Sequence, residues 1–239
     1  MNIQDIKMKT LANLPSYHNG IVIKPKSLRS IAEKGLDTYN QCLSVAAVSK
    51  ETIFPDLNDE YKDMHLSELI VRSGDAEFLN AYLNSIEFFL DGKFVITENG
   101  NLYLDEIEVY YEDLTAITEI IKIQNCAIVA LKNDDFNPAN ERAKKLKERI
   151  LARKKRIQEL KADSSDDDKL TLYDLISIVA ANANGINIFN VYDLNYLQFN
   201  DQFNRLKITK DYEVNINALI HGADSKQIKL EHWLSKIKE

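Results

Sequence analysis

Glycine and proline are scarce in this 239-residue chain, at seven and four residues, and there are only two cysteines and one tryptophan. So few turn formers argue against an all-β sandwich and against a low-complexity linker protein, and favour many helices. Cys42 and Cys126 stand alone, with no CxxC and no spacings from which a disulfide framework could be built, so both read as reduced, half-buried thiols of a cytosolic protein. No apolar run approaches the roughly 20 residues needed to cross a bilayer. The opening MNIQDIKMKTLANLPSYHNG lacks the apolar stretch and cleavage pattern of a signal peptide. P-loop, GxGxxG, GxSxG and HExxH patterns are all missing. The expectation is a protein that is not an enzyme, with no cofactor, no metal and no membrane attachment.

What is present is enough apolar sequence, 45%, to bury a core, in a chain long enough for one large or two modest domains. The net charge of −7 is unevenly placed. Residues 141–161 carry ten Lys and Arg against three Glu, a local +7, which leaves −14 for the rest of the chain. An acidic chain of this kind is not a general nucleic-acid binder.

Periodicity divides the chain. GIVIKPKSL reads as a short strand stopped by Pro25, after which Ser27 caps a helix with a stripe at Leu28, Ile31, Gly35, Tyr39, Leu43 and Ala46. HLSELIVRSG predicts a short helix closed by Gly74. Asp75 then caps one whose apolar face is Phe78, Tyr82, Ile86 and Phe89. Alternation over GKFVITENGNLYL, with Asn99-Gly100 as a turn needing positive φ at both residues, predicts a hairpin. LTAITEIIKIQN is helical again. Residues 1–135 thus read as an α+β N-terminal domain.

Asn137-Pro138 starts a basic helix predicted over 138–161. Its less polar positions, Ala143, Leu146, Ile150, Ile157 and Leu160, with Arg153 in the gap, step 3-4-3-4-3. Lys144, Lys145, Lys147, Lys154 and Lys155 are expected in water. ADSSDDDK is an acidic linker, so that 136–169 connects the first domain to an all-α C-terminal domain at 170–239. In that domain LTLYDLISIVAANANG is a helix ended by Asn184-Gly185. LNYLQFNDQFNRLKI is anchored by Leu194, Leu197, Phe203 and Leu206, and continues to Gly222 with a break near Asp211. IKLEHWLSKIKE closes the chain on Trp233, Leu234 and Ile237. The fold class is mainly α with a small β-hairpin.

Side chains with chemistry are scattered. His18, His65, His221 and His232 have no cysteine beside them in a zinc spacing. Asp166, Asp167 and Asp168 lack the alternation and closing Glu of a calcium loop. Asp105, Glu106, Glu108, Glu112 and Asp113 read as a solvated sheet edge, with Glu106 and Glu108 on one face; a catalytic pair among them has nothing further to support it. The aromatic run Phe189, Tyr192, Tyr196, Phe199 and Phe203 reads as core rather than a ligand-facing stripe. The basic arm has no Phe, Tyr or Trp between Phe136 and Tyr173, so nucleic acid could be held there only through phosphates. The arm stands open between a solvated charged helix, a partner-binding helix and such a phosphate contact.

The segments YDLISIVAANANG, YLQFNDQFNRL, NINALIHGA and LEHWLSKI, with the N-terminal GIVIKPKSLRSIAEKGLDTYNQCLSV, resemble proteins of the tail-gene cassettes of phages infecting low-GC Gram-positive bacteria. The resemblance implies a tail assembly chaperone or related tail morphogenesis protein. Such a protein is no enzyme; it binds a helical partner such as the tape measure protein or hands it to tail-tube subunits. It implies location in the host cytoplasm, or in the virion if the chain is a structural component of tail, baseplate or connector. Self-association is open, and nucleic-acid binding through the arm ranks below both. That family is recognised by helices rather than by a site, so the partner-binding residues expected here, Leu146, Ile150, Ile157, Leu160 and Trp233, come from apolar patterning alone.

Overall fold

The computed structural model describes residues 2–54, 61–127, 170–222, 228 and 230–237. In them the chain is mainly α with two small antiparallel sheets. Asn2 caps α1 (Ile3–Leu11) by accepting from the Gln4 N–H. Strands β1 (Ser16–His18) and β2 (Ile21–Ile23) form a tight hairpin with His18 opposite Ile21. Its two loop residues, Asn19 at φ +43° and Gly20 at φ +84°, both adopt the positive φ that such a turn needs. Ser27 caps α2 (Leu28–Lys34) as expected. The stripe expected to run unbroken to Ala46 is cut at Gly35, whose φ of +93° starts a second helix, α3 (Leu36–Ala46). A single helix would point Tyr39 along the Leu28–Ile31 face; the break lets α3 turn to pack along α6 while all three residues stay buried.

A one-turn helix α4 (Lys50–Ile53) precedes α5 (Leu66–Arg72), which closes before Gly74 at φ +71°. Asp75 caps α6 (Ala76–Phe89). The second sheet contains β3 (Phe94–Ile96), β4 (Leu102–Leu104) and β5 (Ile107–Val109) in that order. The Asn99-Gly100 turn differs from expectation. Thr97 N–H bonds Asn101 O, which leaves three loop residues, and only Gly100 has positive φ, +82°; this is the hairpin loop in which a left-handed glycine follows an ordinary turn. Glu106 lies in the tight turn into β5, so it does not share a strand face with Glu108.

Helix α7 (Tyr111–Gln124) is the centre of the fold. Leu114, Ile117, Ile120, Ile121 and Ile123 are buried around most of its circumference, because it packs on α1, α3, α5 and both strands of the first hairpin. Even its polar Gln124 is enclosed, donating to Ile23 O.

Beyond residue 169 come α8 (Leu172–Asn182), a 3₁₀ turn at Val191–Asp193 and α9 (Tyr196–Ile220). No break occurs near Asp211: α9 runs 25 residues as one helix, since nothing between Tyr196 and Ile220 is Gly or Pro. Ile176, Val179, Val191 and Phe199 belong to the same continuous core as Ile6, Ile31 and Tyr39. The joint is specific. Leu28 N–H bonds Leu194 O at 2.8 Å, and Asn195 Nδ2 bonds Thr10 O at 2.7 Å and Asn13 Oδ1 at 3.1 Å. Arg29 pairs with Asp193 on the outside. The connecting region 136–169, with its predicted helix over 138–161, acidic linker and boundaries, lies outside the described residues.

Candidate partner-binding surface

The C-terminal helical part begins with a reciprocal cap. Thr171 Oγ1 accepts from Asp174 N–H, and Asp174 accepts from the Thr171 N–H and hydroxyl, which holds the Asp174 carboxyl below its usual range. Helix α8 buries Ile176 and Val179 and leaves Tyr173 73% exposed. The chain then leaves α8 through Gly185 (φ +78°) into a loop built by asparagine side chains. Asn190 Oδ1 accepts from Asn187 N–H, Asn187 Oδ1 accepts from Phe189 N–H, and Asn190 Nδ2 donates to Gly185 O. Val191 roots the loop in the core at 0% exposure, and its tip carries Ile188 and Phe189 into solvent, Phe189 at 87%. The aromatic run therefore divides: Phe199 is core, Tyr192, Tyr196 and Phe203 pack against the core half-buried, and Phe189 is not core.

Only Phe199 of α9 is fully buried. The far half of the helix exposes Val214 and Ile220. Residues 230–237 return across this half as a non-helical strap. Arg205 Nη1 donates to the carbonyl oxygens of Trp233 and Ser235, each at 2.9 Å. The His232 ring lies between Tyr212 and Trp233, with centroids 5.2 and 5.6 Å away. Trp233 and Leu234, expected as anchors of a closing helix, are 45% and 67% exposed; Ile237 is half-buried. Helical spacing read from three apolar residues was overridden here by the turn that Ser235 N–H closes onto His232 O.

Of the expected partner-binding residues, Trp233 is a partly exposed side chain on the strap, and Leu146, Ile150, Ile157 and Leu160 lie outside the described residues. Exposed apolar side chains that the sequence pattern did not single out are Tyr173, Ile188, Val214 and Ile220, and Phe189, expected in the core, is exposed. The Asn187–Asn190 pair flanking Ile188-Phe189 was the available signal for the loop, because asparagine side chains mimic backbone turns.

Asp113 and Asp91, elsewhere among the described residues, are engaged in structural hydrogen bonds. The carboxyl of Asp113, 4% exposed, receives His18 Nε2 at 2.8 Å and Asn19 Nδ2 at 2.7 Å on one oxygen and Tyr110 N–H at 2.9 Å on the other. Burial pushes it up, but the Tyr110, His18 and Asn19 bonds prevail and hold it below its ordinary value. Asp113 is accordingly not part of a solvated edge. Burial pushes the Cys42 thiol up, the opposite of an activated nucleophile. Asp91 is held low by bonds from Lys26 and Lys24. Among the described residues no cluster of His, Cys, Asp and Glu is arranged to hold a metal, and no helix is long and apolar enough to cross a membrane.

No curated protein and no solved structure matches this chain. Residues 161–238, the part that contains α8, the asparagine-built loop, α9 and the strap, match the family model described as the YomV second domain, so the C-terminal third of the chain is similar to a phage-related domain family.

Proposed function

We propose that this protein is a non-enzymatic phage tail assembly factor, chaperone-like, that binds a helical partner such as the tape measure protein in the host cytoplasm. The observation that carries the reading is the exposed apolar surface within the phage-related match: Tyr173 on α8, Phe189 on its hydrogen-bonded loop, and Val214 and Ile220 on α9. Side chains of this size standing in water favour burial by about 1.5–3 kcal/mol each when fully covered, and aromatic anchors on pre-ordered loops are typical of protein contacts. Among the described residues the buried carboxylate of Asp113 is taken up by structural hydrogen bonds.

Co-expression with a phage tape measure protein tests the reading. The expected result is a soluble complex that Val214→Asp combined with Ile220→Asp weakens at least tenfold. An unchanged tape measure solubility with no complex overturns the chaperone role. Stoichiometric recovery of the chain from purified virions, by mass spectrometry, would instead assign it to the tail structure.

A further inference from the structure

The first hairpin, around Ile21 and Lys24, faces the Leu90–Gly92 segment and the β4–β5 turn at Asp105 across a pocket of about 300 Å³. That is the lower end of the volumes that hold small ligands. Its apolar lining belongs to the core: Ile21, Leu90 and Leu104 are buried, and Ile107 is half-buried. Gly92 leaves one wall bare; a Cβ there would lie 2.6 Å from Asp105 Oδ2. The charges at the rim are unequally satisfied. Asp91 is shared by Lys24 and Lys26, at 3.2 and 3.1 Å, and Lys93 is paired with Glu87 at 2.6 Å. Asp105 Oδ1 accepts the Lys93 N–H at 3.1 Å, whereas Oδ2, beside Gly92, has no hydrogen-bond or ion-pair partner among the described residues. A two-residue turn sets this carboxylate in place. Leu104 pairs with Ile107, and Asp105 takes φ +52°, a left-handed backbone that aspartate tolerates better than most residues.

We propose that this pocket binds a small aliphatic amine, with the apolar stem on Ile21, Leu90, Leu104 and Ile107 and the ammonium on Asp105 Oδ2. Burial of the stem supplies the non-directional part of the affinity. The charge-assisted hydrogen bond to Asp105 sets the sign and the orientation of the ligand. A ligand carboxylate would have to draw Lys24 away from Asp91, and an uncharged alkyl chain would leave the free Asp105 oxygen without a cation. With so few ligand atoms, the dissociation constant should be about 1 mM. Amine binding here stands independently of the tail-assembly reading.

The test titrates the isotope-labelled full chain with n-hexylammonium chloride and follows backbone amide shifts by NMR. Saturable shifts should centre on residues 20–24, 90–93 and 104–107. Hexanol and sodium hexanoate should each bind about fivefold more weakly or worse. Asp105→Asn, which keeps an acceptor for the Lys93 N–H and tolerates the left-handed backbone, should weaken hexylammonium by a similar factor. Equal affinity for hexanol would reduce the pocket to an apolar hollow and overturn the proposal. Preference for hexanoate would move recognition to Lys24 and overturn it as well. Unaltered affinity in Asp105→Asn, shifts centred elsewhere, or no saturation by about 20 mM would have the same force. Should Asp105→Asn disturb the second sheet, the comparison of the three ligands on the unsubstituted chain decides, since it needs no variant.

Discussion

His18 Nε2 lies 2.8 Å from Asp113 Oδ1, tying the tip of the first hairpin to the start of the central helix α7 across 95 residues of sequence. The same carboxylate also caps α7 through the Tyr110 N–H. Because the folded Asp113 pKa is depressed, its contribution is complete above the unfolded value near 4 and is lost as pH falls through the lower folded value. Asp113→Ala should cost about 3 kcal/mol at neutral pH. In urea titrations the gap between wild type and Asp113→Asn should be widest above pH 5 and close below about pH 4; a gap that widens with acid would contradict this assignment.

A second buried bond holds the middle of the core. Tyr39, 1% exposed, donates its hydroxyl to Asn125 Oδ1 at 3.1 Å, and burial pushes its pKa well above the usual tyrosine range, so it stays neutral. Tyr39→Phe leaves that oxygen without its donor and should cost about 1–2 kcal/mol. Tyr39→Ala also opens a cavity against Phe88, Phe89 and Tyr196 and should cost about 3–5 kcal/mol. Chemical denaturation distinguishes the two.

Asn195 does two jobs at once, capping α9 through Gln198 N–H and bonding the end of α1. Asn195→Ala should destabilise by about 2 kcal/mol. Since α9 shares the core with α1 and α2, the loss should appear as one shifted cooperative transition by both circular dichroism and tyrosine fluorescence, rather than as separate melting of the C-terminal helices.

Gly92 sits in a crowded turn. A Cβ there would lie 2.6 Å from Asp105 Oδ2 and 3.1 Å from Leu104 Cδ1. Asp105 also accepts from Lys93 N–H. Gly92→Ala should therefore displace that carboxylate and cost about 1–2 kcal/mol, with the largest amide shifts in β3 and β4 by NMR.

Phe189 should behave in the opposite way. Its ring touches solvent over 87% of its surface, so Phe189→Ser should change stability by less than about 0.5 kcal/mol. Asn190→Ala, which removes the loop's bonds to Asn187 and Gly185, should instead raise amide exchange across residues 185–190 without moving the global midpoint by more than about 1 kcal/mol.

Local chemistry made much of this readable from residues alone. Ser27 and Asp75 as caps, Gly74 and Gly185 as helix ends, and the α6 face at Tyr82, Ile86 and Phe89 follow from interactions that span three or four residues. The Asn19-Gly20 pair carries the same two-residue signal as Asn99-Gly100, but the strand before it, Ser16–His18, has no apolar alternation to mark it. What no local pattern holds is which equally apolar residue finds a partner. Phe199 and Phe189 are ten residues apart in one aromatic run, yet one is buried in the core, on a helix that packs on α1 and α8, and the other projects from an asparagine scaffold. Asp113 looked like its four acidic neighbours until the first hairpin folded over it. The sequence by itself determined the mainly helical class, the caps at Ser27 and Asp75 and the close of α5 before Gly74, because those rest on hydrogen bonds and periodicity within a turn or two. Only the tertiary structure decided which carboxylate is structural, which aromatic stays exposed and that Trp233 rides a strap, because burial depends on chain segments 90 to 190 residues apart meeting in space.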